Sequence, residues 1–403
     1  MAPTCRQYVV SDGCPPVSIG AAAPTARIPT MRGAIHPHPT ALPTPTPSPT
    51  VHWTDPARQH AFEVWLHAMA SRHALRPDTL RPASADASFR RYLRVDQADG
   101  TPLVVMDAPP TQEDCRPFVA VQALMQRAGL PVPQILAWDA AQGFMLLSDL
   151  GVETAIEQLD PARPQAAFAW YAQALELLID WQKASQPGML PPYDEALLRR
   201  ELQLFPDWYI ARHRALTLDA GQQAVLGKAF DHIVARNLAA PSVYVHRDFM
   251  MRNLMVGNHG RLGLLDFQDA VYGPITYDIA SLMRDAFISW EEDFVIDLTV
   301  RYWEKARKAG LLGATSASGW GADFGEFYRA VDWMALQRHL KVAGIFARIT
   351  LRDGKPKYLA DAPRFIGYIR QTAARYRELA PLLRLLDQIE GTQAATGYAF
   401  GRM

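Results

Sequence analysis

Val243-Tyr244-Val245-His246-Arg247-Asp248-Phe249-Met250-Met251-Arg252-Asn253-Leu254-Met255-Val256 continues through Gly257-Asn258-His259-Gly260 to Leu262-Gly263-Leu264-Leu265-Asp266-Phe267. Short apolar runs on either side of a glycine-bounded turn predict a hairpin. Its turn at 257–260 brings Asn253 and Asp266 to adjacent strand ends. The pattern H-R-D-x-x-x-x-N, a hairpin and D-F suits phosphoryl transfer. That reaction needs a carboxylate to orient a hydroxyl and accept its proton, and hard oxygen ligands to hold magnesium on phosphates. Asp248 fits the first task; Asn253 and Asp266 fit the second. His246 reads as a packed loop residue, not a base. Arg247 and Arg252 read as balancing the carboxylates or as solvated surface.

Downstream, Gly273-Pro274 signals a turn and Asp278 opens a helix. Asp278 reads as a helix cap, as an acceptor of backbone donors from the Asp248 loop, or as both. Helical periodicity covers 163–184, 195–213, 220–238, 278–289, 291–309, 323–347 and 362–390. Upstream the pattern is mixed. Asp55-Pro56 caps a helix carrying Phe62, Trp65, Leu66 and Met69 at helical spacing. Strands follow at 89–95 and 103–107, joined by Ala98-Asp99-Gly100. A helix over 113–128 ends at Gly129, and strands lie near 134–138 and 143–148. Residues 1–52 form a proline-rich tail, with eleven of the 31 prolines before residue 51 and too little apolar surface to offset ordering entropy. The expected organisation is that tail, a strand-rich lobe over 53–150 and a helical lobe over 151–403, with the site in the cleft between lobes.

Composition bounds the function. The 403 residues carry 41 basic and 41 acidic side chains, so the balance argues against a general nucleic-acid binder. No apolar run is long enough to span a bilayer. The N-terminus lacks the features of a secretory signal, and Cys5, Cys14 and Cys115 are too few for a disulfide framework. These features read as a cytoplasmic protein, and none calls for a protein partner.

The joint motif resembles the aminoglycoside phosphotransferase and choline kinase-like superfamily. Its H-x-D-x-x-x-x-N, metal aspartate and G-x-x-x-x-D-(I/L)-A match His246–Asn253, Asp266 and Gly273–Ala280. The resemblance implies a protein-kinase-like α+β bilobal fold over about residues 57–390, with ATP and Mg2+ as cofactors. Within it, Ser84–Tyr92, Val105–Pro110, Asp114–Phe118, Arg247–Asn253 and Arg338–Phe346 are similar to the anomeric N-acetylmuramate/N-acetylglucosamine kinases. That likeness implies a small-molecule sugar acceptor, phosphorylated at its anomeric hydroxyl to the 1-phosphate, in peptidoglycan recycling. Substrate identity rests on the resemblance alone. A kinase acting on an aminoglycoside or amino alcohol, and a nucleotide-binding pseudokinase, fit the same spacing.

The sequence departs from the kinase pattern where phosphates are held. Met106 stands where a strand lysine is expected, and Phe118 where its glutamate partner falls. The segment Ser84–Ser88 replaces a glycine-rich loop, with Ser88 as its candidate phosphate contact. Arg90 and Arg91 are the nearest replacement cations, and strand alternation lets only one of them face the cleft. The adenine hinge is expected at Ser148, Asp149 and Leu150, turning at Gly151. Arg338, His339, Lys341 and Arg348 are acceptor-side candidates, since a lactyl carboxylate favours nearby cations. Trp208, Trp290 and Trp333 read as core rather than as sugar platforms.

Overall fold

Asp55 sets the first helix. In the computed structural model, described over residues 51–84, 89–313 and 319–392, its carboxylate accepts the backbone N–H groups of Ala57 and Arg58 at 2.9 and 3.3 Å. Pro56 enters the first turn, where its missing donor is harmless. Helix α1 (Pro56–His73) then buries Phe62, Trp65, Leu66 and Met69 as its spacing predicts. The expected tail before residue 51 and Ser88 both lie outside the described residues.

After α1 come β1 (Leu75–Ser84), β2 (Arg91–Gln97), β3 (Pro102–Asp107), α2 (Arg116–Arg127), β4 (Ile135–Asp139) and β5 (Phe144–Ser148). The strands form one antiparallel sheet in the order β1-β2-β3-β5-β4. Strand β1 was not expected. Pro77 and Pro82 hide it, and it is accommodated as an edge strand with two register shifts against β2. Alternation divides the sheet cleanly. Leu93, Val95, Leu103, Val105, Phe144 and Leu146 pack with α1. Met106, Met145 and Leu147 face the other way, into the core that continues through α2 to the helical lobe.

The helical lobe begins with α3 (Pro164–Lys183), α4 (Glu195–Leu202) and α5 (Ala220–Leu238). The helix expected over 195–213 is broken. After α4 the chain winds as a π-helix over Phe205–His213, with Pro206 in its first turn, where a proline cannot complete the preceding hydrogen bonds. Next come β6 (Ser242–Val245), β7 (Leu254–Val256), β8 (Leu262–Leu264) and β9 (Val271–Pro274). Strands β7 and β8 form the expected hairpin, while β6 pairs with β9. Gly273-Pro274 is therefore strand rather than turn. A side chain at Gly273 would lie 2.4 Å from the Tyr193 Cβ, so only glycine permits the close approach there.

The last elements are α6 (Thr276–Met283), α7 (Glu292–Lys308), α8 (Phe324–Asp353), α9 (Ala362–Arg375) and α10 (Ala380–Glu390). Helix α6 starts two residues before Asp278 and stops six before the expected end. The single helix expected over 362–390 is two, parted by a tight turn at Arg377–Leu379 and restarted with Pro381 in the first turn of α10. Among the described residues no helix is long and apolar enough to cross a membrane.

Candidate active site

The loop between β6 and β7 is fixed from below. Asp278, fully buried in the first turn of α6, accepts the backbone N–H groups of His246 and Arg247 at 2.7 and 3.0 Å. It is not the helix cap; that position belongs to Ile275. Burial, reinforced by the charge of Asp248, pushes the Asp278 carboxyl up to about 7 against the pull of those two donors and Arg338. His246 is wholly buried beside Phe249, and burial lowers its imidazole to about 4. A ring that stays neutral in this setting agrees with its reading as a packing residue.

Arg247 adopts a positive φ of 76°, a conformation costing a non-glycine residue roughly 1–3 kcal/mol. Three partners hold it there. Asp278 takes its N–H, Arg338 donates to its carbonyl at 2.9 Å, and its guanidinium donates to Glu201 at 2.6 Å. Glu201 also pairs with Lys341 at 3.0 Å and accepts the Tyr193 hydroxyl. Burial works against the Glu201 carboxylate, but Lys341 and Arg247 overcome it and hold the group down at about 2. Arg247 is thus part of a buried cluster, not surface. The turn at Arg247 leaves Asp248 on the wall of the cleft.

Asn253 and Asp266 stand together at the ends of β7 and β8. Pairing of Leu254 with Leu264, and a Leu265 N–H donated to the Asn253 carbonyl at 2.9 Å, brings the strand ends into register. The Asn253 amide donates to the Asp248 carbonyl at 2.9 Å and reaches the Asp266 carboxylate at 3.4 Å. Gln268 donates to the other Asp266 oxygen at 2.8 Å. Asp248, Asn253 and Asp266 line one cavity of about 630 Å³ between the lobes. Tyr92, Val104 and Leu147 line it from the sheet, and Ser148, Asp149 and Leu150 from the segment that joins the lobes.

That joining segment is clamped. Arg94 grips Asp149 and donates to the Gly151 carbonyl at 2.9 Å. Gly151 has a φ of 119°, and a Cβ there would lie 2.9 Å from the Val256 carbonyl oxygen, so glycine is required where the chain crosses to the helical lobe. Arg94 was overlooked in the sequence, although counting by twos along β2 sets it on the cleft face. Glu201 was also missed; its signal is a carboxylate at a core-facing position between Leu198 and Leu202 of α4.

The two arginines that follow the Ser84–Ser88 segment face opposite sides of the sheet. Arg91 lies on the α1 face, donating to Asp107 at 3.0 Å and stacking on Trp53 at 3.8 Å, while Arg58 of α1 takes the other Asp107 oxygen at 2.6 Å. Arg90, on the opposite parity, pairs with Glu113 at 3.2 Å. Met106 is fully buried, and Phe118 packs in a tilted arrangement on Phe267, ring centres 4.8 Å apart, so apolar contacts occupy the region of the expected lysine–glutamate pair. Among the acceptor-side candidates, Arg338 and Lys341 line the cavity. His339 turns away onto Tyr368. Trp333 is buried, Trp290 donates to Tyr171, and Trp208 is covered by Arg212. None of the three tryptophans lines the cleft.

Residues 79–312 match the phosphotransferase enzyme family. The chain belongs to that family. It is 51% identical over 319 residues to the N-acetylmuramate/N-acetylglucosamine kinase of Pseudomonas aeruginosa, covering 79% of this chain and 91% of that protein. It is 46% identical over 345 residues to the protein of the same name from Neisseria meningitidis, covering 85% of this chain and 99% of the relative. Among solved structures, a choline kinase from Streptococcus pneumoniae superposes with a TM-score of 0.52 at 12% identity, covering 79% of this chain and all of that one. A macrolide 2'-phosphotransferase type I gives 0.51 at 18% identity, over 78% of this chain and 97% of that one. These structural likenesses establish the protein-kinase-like α+β bilobal fold expected from the motif. This phosphotransferase is accordingly an enzyme, a kinase.

Proposed function

We propose that this kinase transfers the terminal phosphoryl group of ATP to the anomeric hydroxyl of N-acetylmuramate and N-acetylglucosamine, giving the sugar 1-phosphates used in peptidoglycan recycling in the cytoplasm. The observation that carries the reading is the 51% identity to a kinase named for these two sugars, over 91% of that relative's length. Residues 53–150 serve as the nucleotide lobe and 151–403 as the acceptor lobe.

Asp248 orients the sugar hydroxyl and accepts its proton. The buried contacts that hold Arg247 in its strained turn support this assignment, because they fix the direction of the next side chain. Asn253 and Asp266 hold Mg2+. Their oxygens are hard donors in one cavity, and no group of three histidine, cysteine, aspartate or glutamate side chains that could hold a metal exists among the described residues. Two protein ligands suit Mg2+, which keeps waters and shares the phosphates of its nucleotide. The bound ion supplies neutralisation of phosphate charge. Ser148, Asp149 and Leu150 bear on the adenine, and Arg90 with Ser88 on the phosphates. Arg91, facing α1, supports the lobe instead.

The charges that line the cavity balance, with Arg247, Arg252, Arg338 and Lys341 against Asp149, Asp248, Asp266 and Asp269, so the acceptor is decided by assay. A panel of N-acetylmuramate, N-acetylglucosamine, choline and an aminoglycoside, assayed with labelled ATP, tests the reading. Transfer to the two amino sugars is expected. Transfer only to choline or the aminoglycoside would overturn it, as would ATP binding without transfer to any acceptor.

A further inference from the structure

Beside the cleft lies a second cavity of about 510 Å³ that shares Arg247, Asp269, Lys341 and Ile345 with it. Its outer wall is made by Arg348 of α8 and Arg200 of α4, two helices that pack together. Arg348 lies two turns beyond Lys341 along α8, roughly 10 Å along the axis on the same face. The two cavities therefore adjoin across these shared residues, with Asp248 lining the first and Arg348 the second.

The charges that line the second cavity are unbalanced. Four cations, Arg200, Arg247, Lys341 and Arg348, face two carboxylates, Glu201 and Asp269. Glu201 is already bound to Arg247 and Lys341. Neither Arg200 nor Arg348 has a hydrogen-bond or ion-pair partner among the described residues, and the Arg348 Nε is buried without one. The nearby Asp353 carboxylate is taken by Arg352 at 2.6 Å. Burial and the charge of Arg352 both lower the Arg348 pKa, as they do for a cation lacking its counter-ion. Arginine's fixed fork matches a carboxylate in two-point contact.

We propose that Arg348, assisted by Arg200, binds the carboxylate of an acidic amino sugar and so sets the preference between N-acetylmuramate and N-acetylglucosamine. The assignment rests on the functional reading above and names the residues that distinguish its two acceptors. N-acetylmuramate carries a lactyl carboxylate that N-acetylglucosamine lacks, and a charge-assisted fork is made with the first sugar only.

The test is the ratio of kcat/KM for N-acetylmuramate to kcat/KM for N-acetylglucosamine, measured on the full chain. Arg348→Gln is expected to lower that ratio about ten- to a hundredfold, mainly through KM for N-acetylmuramate. Arg348→Glu should lower it at least as far, and Arg348→Lys less. Arg200→Gln, on an exposed side chain of a different helix, gives an independent reading with a smaller fall in the same direction, and decides the matter if the Arg348 variants do not fold. An unchanged ratio in folded Arg348→Gln, or in Arg200→Gln where that variant has to decide, with a wild type active on both sugars, would overturn this assignment alone. A wild type that phosphorylates neither sugar would overturn it together with the functional reading.

Discussion

Asp278 accepts the backbone N–H of His246 at 2.7 Å, so one buried carboxylate on α6 holds the start of the loop that carries Asp248. Burial pushes that carboxyl up to about 7, well above its value in an unfolded chain. Its contribution to stability is therefore full below about pH 4 and is lost as the pH rises through about 7. Asp278→Asn removes this dependence. The stability of the wild type minus that of the variant, measured by urea unfolding, should fall by up to about 4 kcal/mol between pH 4 and pH 8. A constant difference across that range would show that Asp278 stays charged throughout.

Asp248→Asn should abolish most transfer and leave nucleotide binding near normal. The amide keeps the side chain's shape but loses the proton-accepting charge. Loss of a general base lowers the rate about 10²–10⁴-fold. Near wild-type kcat in this variant would remove Asp248 from the chemistry.

Asp266→Ala should weaken magnesium-dependent nucleotide binding as well as turnover. The substitution removes a hard oxygen ligand and also strands Asn253 and Gln268, which donate to the same carboxylate. Calorimetry with ATP, with and without Mg2+, checks this. Identical affinities for wild type and variant in the presence of Mg2+ would place the metal elsewhere.

Arg90 and Arg91 should behave differently because they lie on opposite faces of the sheet edge. Arg90→Ala is expected to raise KM for ATP and lower kcat/KM about ten- to a hundredfold, as loss of a charge-assisted bond to phosphate does. Arg91→Ala should leave KM for ATP alone and lower stability by about 1.5–3 kcal/mol, since it strips a partner from buried Asp107. Steady-state kinetics with thermal melts separates the two. An Arg91→Ala enzyme with impaired ATP affinity and an unchanged melting temperature would reverse the assignment.

The parts of this architecture legible in the sequence are those encoded over short distances. Asp55-Pro56 announces α1, and the turn at 257–260 brings Asn253 to Asp266, because caps and hairpins need only neighbouring residues. Pairings between distant segments left weaker traces. Strand β9 joins β6 across the whole Asp248 loop, and its Gly273-Pro274 reads locally as a turn. Strand β1 carries two prolines that only an edge position tolerates. The alternation rule says that Arg90 and Arg91 face opposite ways, but only the buried Asp107 beneath α1 decides which way each points. Glu201 gained its importance from Arg247 and Lys341, residues far from it in sequence, and no local pattern could have paired them.

The most direct test of the functional reading is the position of the phosphate on the product. Incubation with ATP, Mg2+ and N-acetylglucosamine, followed by phosphorus and proton NMR, should give a single product whose phosphorus couples to the anomeric proton and whose reducing end is blocked. A product phosphorylated at C6 with a free reducing end, or no phosphorylated sugar at all, would contradict the account.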